Sequence, residues 1–444
     1  MTTTAPTETT AKPQPADQAG APVADPTELE SGVRSYSRGW PAVFTHAKGS
    51  VLTSEDGTEY IDFFAGAGTL NYGHNHPELK KVVVDHYLED RVVHGLDMFT
   101  DVRREFLQTF DQKILRPRGL DYKVAFPGPG GTNAVEAALK LARKVTGRES
   151  VVSFTNGFHG MTLGALAVTG NSMKRGGAGV PLDHVATMPF DNYLYGKTPD
   201  FLWLRTLLDD SGSGLDAPAA VIVESIQGEG GINAASAEWL RGLSALCKEY
   251  GILLILDDIQ MGCGRTGRFF SFEEAGIVPD IVTLSKSISG YGLPMALTLF
   301  KRELDVWEPG EHNGTFRGFN PAMVTGAEAL RRYWSDDSFA QATLAKGAMV
   351  EARLSEMAAE HAEFGAHVRG RGLARGLAFD AEGGLAKKVA AESFERGLLL
   401  ETSGPEDEVA KLLPPLTMTD EELTAGLDIM ADAARAAVKS AQPA

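Results

Sequence analysis

Short apolar runs recur through the middle of the chain: Lys123 to Phe126, Val151 to Phe154, Ala219 to Glu224, Leu253 to Asp257, Ile281 to Leu284 and Met295 to Phe300. Runs this short and this uniformly apolar read as strands buried on both faces. Between several of them the apolar spacing switches to the helical period. Val135, Ala138, Leu139, Ala142 and Val145 share one face of a helix expected over Ala134 to Thr146, and Ala237 to Tyr250 carries the same pattern. Strand and helix in alternation predict an α/β fold with a mostly parallel central sheet and helices on both of its faces.

The flanks read differently. Upstream, Ser50 to Thr53 and Glu59 to Phe63 form two β-like runs around the turn Glu55-Asp56-Gly57. Pro77 then opens a helix whose inner face includes Leu79, Val82 and Val83. After Gly318 long amphipathic helices dominate (about Ser338 to His361, Leu385 to Arg396 and Thr419 to Val438), with strands at Ala374 to Phe379 and Leu398 to Glu401. The spacing therefore predicts a smaller α+β C-terminal domain over 321–438, a large domain over 77–320, and an N-terminal segment, 31–76, packing with the small domain. Residues 1–30 are rich in Thr, Ala, Pro and Gln, without periodicity, and are expected to be a disordered tail.

Composition narrows the function classes. A chain of 444 residues with 43% apolar and 23% charged residues is an ordinary globular composition with room for two or three domains. A net charge of −17 argues against nucleic acid and anionic membranes as partners. The apolar run Ile252 to Leu256 is far too short to span a bilayer, and no basic-then-apolar leader stands at the N-terminus, so a cytoplasmic location is expected. Cys247 and Cys263, the two cysteines, lack metal-ligand spacing; no metal site is expected and a reducing compartment suits them.

Candidate chemistry gathers where strands end. In open α/β sheets ligands bind beyond the carboxyl ends of the strands, and Glu224, Asp257, Lys286 and the turn Gly128 to Asn133 all fall there. Lys286 follows a buried strand into a run of small residues (Ser287, Ser289, Gly290, Gly292), a setting that disfavours the ammonium form and suits an amine nucleophile toward an aldehyde. Asp257 closes an apolar strand, where a carboxylate needs a cationic or hydrogen-bonding partner; a pyridinium N–H is one. PGPGGTN places glycines and Thr132 directly before a helix, an anion site without the lysine of a Walker loop. Amine, acid and phosphate cradle together are what pyridoxal 5'-phosphate requires of a protein.

The motifs ESIQGEGG, LLILDDIQMGCGRTG, PDIVTLSKSISGYGLP, GTFRGFNP and LLPPLT, in that order, resemble those of class III aminotransferases of the fold-type I pyridoxal-phosphate superfamily, over about Arg34 to Ala434. The resemblance implies that Lys286 is the cofactor-linking lysine and proton carrier, and Asp257 the partner of the ring nitrogen. It implies that Gln260 approaches the phenolic oxygen, that Ile259 and Phe158 pack on the two ring faces, and that Gly131 and Thr132 bind the phosphate. Thr315 resembles a threonine that reaches the phosphate of a neighbouring subunit, so a homodimer or larger homo-oligomer is implied. FFAGAGTLNYGHNHP, GGTNAVEAALKLAR and LLLETSGPEDEVAKLLPPLT are similar to the branch that exchanges the 4-amino group of L-2,4-diaminobutyrate with 2-oxoglutarate in ectoine formation. Asn133 and Asp258 stand where most of the wider family has glutamate. Lys411 stands where many relatives carry the arginine that holds a substrate carboxylate, and lysine lacks the bidentate fork. Glu229 matches the glutamate that masks this cation, so a Glu229–Lys411 pair is expected. Other readings on the same scaffold are an aminotransferase for 4-aminobutyrate, ornithine or siderophore-type diaminobutyrate, an aminomutase or racemase, and a non-catalytic relative. His74, His76 and His159 read as packing or hydrogen-bonding residues near the site, and Arg265 and Arg268 as structural or interface cations.

Overall fold

A computed structural model describes residues 26–194 and 201–441. The expected tail lies outside the described residues as far as residue 25. Two compact units divide at Ala42 and Val43. In the first, the described part holds two single helical turns, Pro26–Leu29 and Tyr36–Gly39. The second, from Val43 onward, holds the sheets and the candidate site.

Its centre is a seven-stranded sheet built from β1 (Tyr122–Ala125), β2 (Val151–Phe154), β3 (Val185–Met188), β4 (Ala220–Glu224), β5 (Leu253–Asp257), β6 (Ile281–Leu284) and β7 (Leu297–Lys301). The spatial order is β1-β7-β6-β5-β4-β2-β3. β2 to β6 run parallel, and β7 alone runs antiparallel to both of its neighbours. The reversal has a local cause: the link from β6 to β7 contains one 3-10 turn and no crossover helix, so the chain doubles back. Every residue of β2, β4 and β6 is buried, as strands covered on both faces require.

Helix α1 (Gly131–Thr146) lays Val135, Ala138, Leu139 and Ala142 into the core. Helix α2 (Ala237–Tyr250) is capped by Ser236, whose hydroxyl oxygen accepts the Trp239 N–H at 3.1 Å. α1 begins three residues before the expected Ala134, because Gly130 caps it and the Asn133 side chain returns to the Gly130 N–H at 3.0 Å. Gly131 and Thr132 are thus the first residues of a helix, not a turn in front of one. β3 and the helix Asn320–Tyr333 were not legible in the pattern.

The expected strand from Leu398 to Glu401 is divided between two sheets. Leu398–Leu399 pairs in parallel with Glu59–Asp62 of the N-terminal sheet, whereas Glu401–Ser403 pairs antiparallel with Val409–Leu412. The latter belongs to a four-stranded antiparallel sheet completed by His367–Arg371 and Ala374–Ala378. Among the described residues, no helix is long and apolar enough to cross a membrane.

Candidate active site

Register at the carboxyl edge of the sheet sets the site. Asp257, the last residue of β5, stands opposite Glu224 of β4 and Thr283 of β6. Two residues beyond β6, Lys286 opens a 3-10 turn with φ 52°, a left-handed conformation that strains a residue bearing a Cβ. Ser287 holds this turn by donating to the carbonyls of Gly68 and Thr69, each at 2.9 Å. Lys286 Nζ donates to the Ala67 carbonyl at 2.7 Å. Burial lowers the pKa of its ammonium below the ordinary lysine value; Glu229 opposes that shift and the nearby Lys411 charge adds to it.

Asp257 is buried and fully engaged. His159 Nδ1 lies 2.7 Å from its Oδ2, and its Oδ1 accepts from the Thr283 hydroxyl at 3.0 Å and the Ile259 N–H at 3.2 Å. Burial opposes a charge on His159, but the hydrogen bond and charge of Asp257 outweigh it and raise the imidazole's pKa. Glu224, beside them, is pushed up to about 8 by burial, against the pull of His159. It accepts the Phe158 N–H at 2.9 Å. At neutral pH Glu224 is therefore held as the neutral acid, which limits the charge buried in this row.

These groups face a cavity of about 190 Å³. Gly131 and Thr132, at the N-terminus of α1, line one part of it, and the first N–H groups of a helix have no partner within that helix. A Cβ on Gly131 would meet the Ile259 side chain at 3.0 Å, so glycine lets the helix start come close to that wall. Ile259 and Phe158 supply apolar wall, and the Lys174 ammonium lies 4.3 Å from the centre of the Phe158 ring. Gln260 Nε2 donates to the Ala67 carbonyl and to Glu229 Oε1, both at 3.0 Å. A poorly solvated amine, a held carboxylate, apolar wall and a helix N-terminus around one cavity fit a flat aromatic aldehyde that carries a phosphate.

Behind Glu229 lies Lys411, fully buried. Its ammonium is 2.9 Å from Glu229 Oε1 and 2.9 Å from Glu401 Oε1. Burial works against all three charges. For Glu229 the nearby Lys411 and Lys286 prevail and hold its pKa down at about 2, Lys411 is raised above the ordinary lysine value by the two carboxyl groups, and for Glu401 burial prevails over Lys411 and raises the carboxyl.

Of the residues singled out in the sequence, Lys286, Asp257, Gln260, Ile259, Phe158, Gly131, Thr132 and Glu229 all border the cavity. Lys411 sits one layer behind. Thr315 is exposed, starts the 3-10 turn Thr315–Gly318, and is not among the cavity residues of this chain. His74 pairs with Asp62 and His76 with the Tyr333 hydroxyl, each at 2.7 Å, outside the cavity. Arg265 is buried and bound to Asn71 and to the carbonyls of Leu373 and Pro414, a structural tie. His159 is a hydrogen-bonding residue at the site, as its sequence position suggests, though its partner Asp257 is not evident from spacing; Glu401 has no such signal. Glu401 lay in a quoted motif, LLLETSG, but only cross-strand register puts it opposite Lys411.

Known proteins match the chain in sequence and in fold. The profile of the family described as aminotransferase class-III matches residues 34–434. The chain is 66% identical to a diaminobutyrate–2-oxoglutarate transaminase of Streptomyces anulatus, over 92% of this chain and 96% of that protein. It is 58% identical to a protein of the same name from Halalkalibacterium halodurans, over 93% and 96% of the two chains. Among solved structures, the ornithine aminotransferase of Toxoplasma gondii ME49 superimposes with a TM-score of 0.81 at 25% identity, covering 93% of this chain and 94% of the other. A transaminase from the marine bacterium Virgibacillus gives a TM-score of 0.82 at 19% identity, over 93% and 98%, a likeness of fold.

Proposed function

The chain belongs to the class III aminotransferase family, and we propose that it exchanges the 4-amino group of L-2,4-diaminobutyrate with 2-oxoglutarate, interconverting the diamine with L-aspartate 4-semialdehyde and 2-oxoglutarate with glutamate. Relatives of 55–66% identity that bear the name diaminobutyrate–2-oxoglutarate transaminase support the substrates. The observation that carries the chemistry is the meeting of Lys286, Asp257 and the α1 N-terminus in one cavity.

The cofactor is pyridoxal 5'-phosphate, which supplies an aldehyde that accepts the donor's amine and a ring that withdraws electrons from the carbon losing its proton. Lys286 would hold the aldehyde, and its Nζ, as a free amine, would take the proton from C4 of the diamine. Its lowered pKa suits that work, because a free amine is the base. Asp257, fixed by His159 and Thr283, would hold the proton on the ring nitrogen. The N–H groups of Gly131 and Thr132 would hold the phosphate, Ile259 and Phe158 would exclude water from the ring, and Gln260 would approach the phenolic oxygen. Glu229 covers Lys411 while the diamine is bound and uncovers it for a carboxylate of 2-oxoglutarate.

We read the active unit as a homodimer or a larger homo-oligomer in which Thr315 serves a neighbouring subunit's phosphate, the setting as cytoplasmic, and the pathway as ectoine synthesis. The test is a half-reaction on purified protein. The absorbance of the bound cofactor is followed as L-2,4-diaminobutyrate, ornithine and 4-aminobutyrate are added separately. Conversion by diaminobutyrate alone, reversed by 2-oxoglutarate, is the expected result. Equal or faster conversion by ornithine or 4-aminobutyrate overturns the substrate assignment, and no dependence on 2-oxoglutarate replaces it with an intramolecular reaction.

A further inference from the structure

We propose that Glu401 is a specificity-determining residue: as a second, fixed carboxylate on Lys411, it biases the cavity toward donors that carry an additional ammonium. The inference rests on the proposed donor. L-2,4-diaminobutyrate is 4-aminobutyrate with an ammonium at C2. An enzyme that prefers the former must respond to that one charge.

The geometry supplies the response. Lys411 is fully buried, with Glu229 Oε1 and Glu401 Oε1 each 2.9 Å from its Nζ. One lysine thus faces two acids, and burial raises the Glu401 carboxyl above its ordinary value against the pull of Lys411. The two acids are not equivalent. Glu229 borders the cavity and is part-exposed, and its Oε1 also takes the Gln260 N–H, so it is the member within reach of substrate. Glu401 is buried, and its backbone is locked opposite Lys411 in the antiparallel pairing of Glu401–Ser403 with Val409–Leu412. Two residues on, the same strand anchors the Glu229 loop: Ser403 donates to the Gly228 carbonyl at 2.7 Å and accepts the Gly231 N–H at 3.0 Å.

Consequences follow for both half-reactions. With Glu229 seated, the second acid on Lys411 offsets the lysine's charge and so favours the second ammonium of the diamine, which 4-aminobutyrate lacks. With Glu229 withdrawn, Lys411 keeps Glu401 as counter-charge. The pair then attracts the 2-oxoglutarate carboxylate less than a free cation does, and Lys411 never becomes an unpaired buried ammonium. Glu401 acts through Lys411 and Glu229 and touches no substrate itself.

The experiment compares Glu401→Gln and Glu401→Asp with the unaltered holoenzyme. For Glu401→Gln, kcat/KM for diaminobutyrate relative to 4-aminobutyrate falls roughly tenfold or more, the size expected when one charge contact in a partly screened site is lost. In the same variant KM for 2-oxoglutarate falls. Glu401→Asp retains the charge and restores the donor preference. Calorimetric binding of the two amines to Lys286→Ala protein, with and without Glu401→Gln, gives a readout independent of turnover, and the diamine alone loses affinity. Equal changes for both amines, or a rise in KM for 2-oxoglutarate, reduce Glu401 to a structural role and overturn the proposal. Unaltered enzyme that ignores diaminobutyrate overturns the proposed function instead, so the two failures are separable.

Discussion

His159 Nδ1 and Asp257 Oδ2 lie 2.7 Å apart, both buried, at the floor of the cavity. The imidazole orients the carboxylate and shares its charge; Asp257 in return raises the pKa of His159 against the effect of burial. His159→Gln keeps a polar group but removes the imidazole. It is expected to lower kcat about ten- to a hundredfold, the usual effect of removing a residue that orients a working ligand. Asp257→Asn is expected to lower it much further. Steady-state kinetics on the two variants give the order, and a His159 variant as damaged as Asp257→Asn refutes the positioning role.

Glu224 predicts a pH dependence. Its carboxyl is raised from an ordinary 4.5 to about 8, with burial the leading cause. The folded state therefore retains the proton where the unfolded state has released it. The stabilisation is complete below about pH 4.5 and is lost as pH rises toward 8, with a slope of at most ~1.4 kcal/mol per pH unit. His159, raised above its ordinary value, adds a slope of the same sign above about pH 6.5. Urea unfolding at pH 5, 6.5 and 8 measures this, and Glu224→Gln is expected to flatten the decline.

Two glycines flank Glu229 for different reasons. A Cβ on Gly228 would lie 1.6 Å from Gln260 Oε1, and one on Gly230 would lie 2.1 Å from the Asn156 carbonyl. The first obstacle is the end of a side chain and the second is backbone. Gly228→Ala is expected to fold, displace Gln260 from Glu229 and raise KM. Gly230→Ala is expected to lose ~2 kcal/mol or more of stability, as overpacking against an unyielding neighbour does. Thermal unfolding beside kinetics distinguishes them.

The backbone of Lys286 is itself testable. At φ 52° a Cβ is disfavoured whatever the side chain. Lys286→Gly is therefore expected to be more stable than Lys286→Ala by ~1 kcal/mol, reversing the usual order of the two residues in regular structure. Both are expected to be inactive. Equal stability in chemical denaturation would mean that the turn carries no strain.

The sequence by itself determined the strands β2, β5 and β6 to the residue, because runs such as Leu253–Asp257 and Ile281–Leu284 are apolar enough to be buried on both faces and lie close to polar or glycine residues at each end. It also determined most of the cavity wall, because residues at strand ends share one edge of a parallel sheet. Local pattern does not carry cross-strand register. Leu398–Glu401 looked like one strand, yet its halves serve two sheets, and the division is what turns Glu401 toward Lys411. The His159–Asp257 contact, spanning 98 residues, and the Lys411–Glu229 contact, spanning 182, were likewise decided by tertiary structure. A buried charge takes whichever partner the packed elements bring within reach. Spacing along the chain can nominate the charge, but the partner and the resulting pKa belong to the fold.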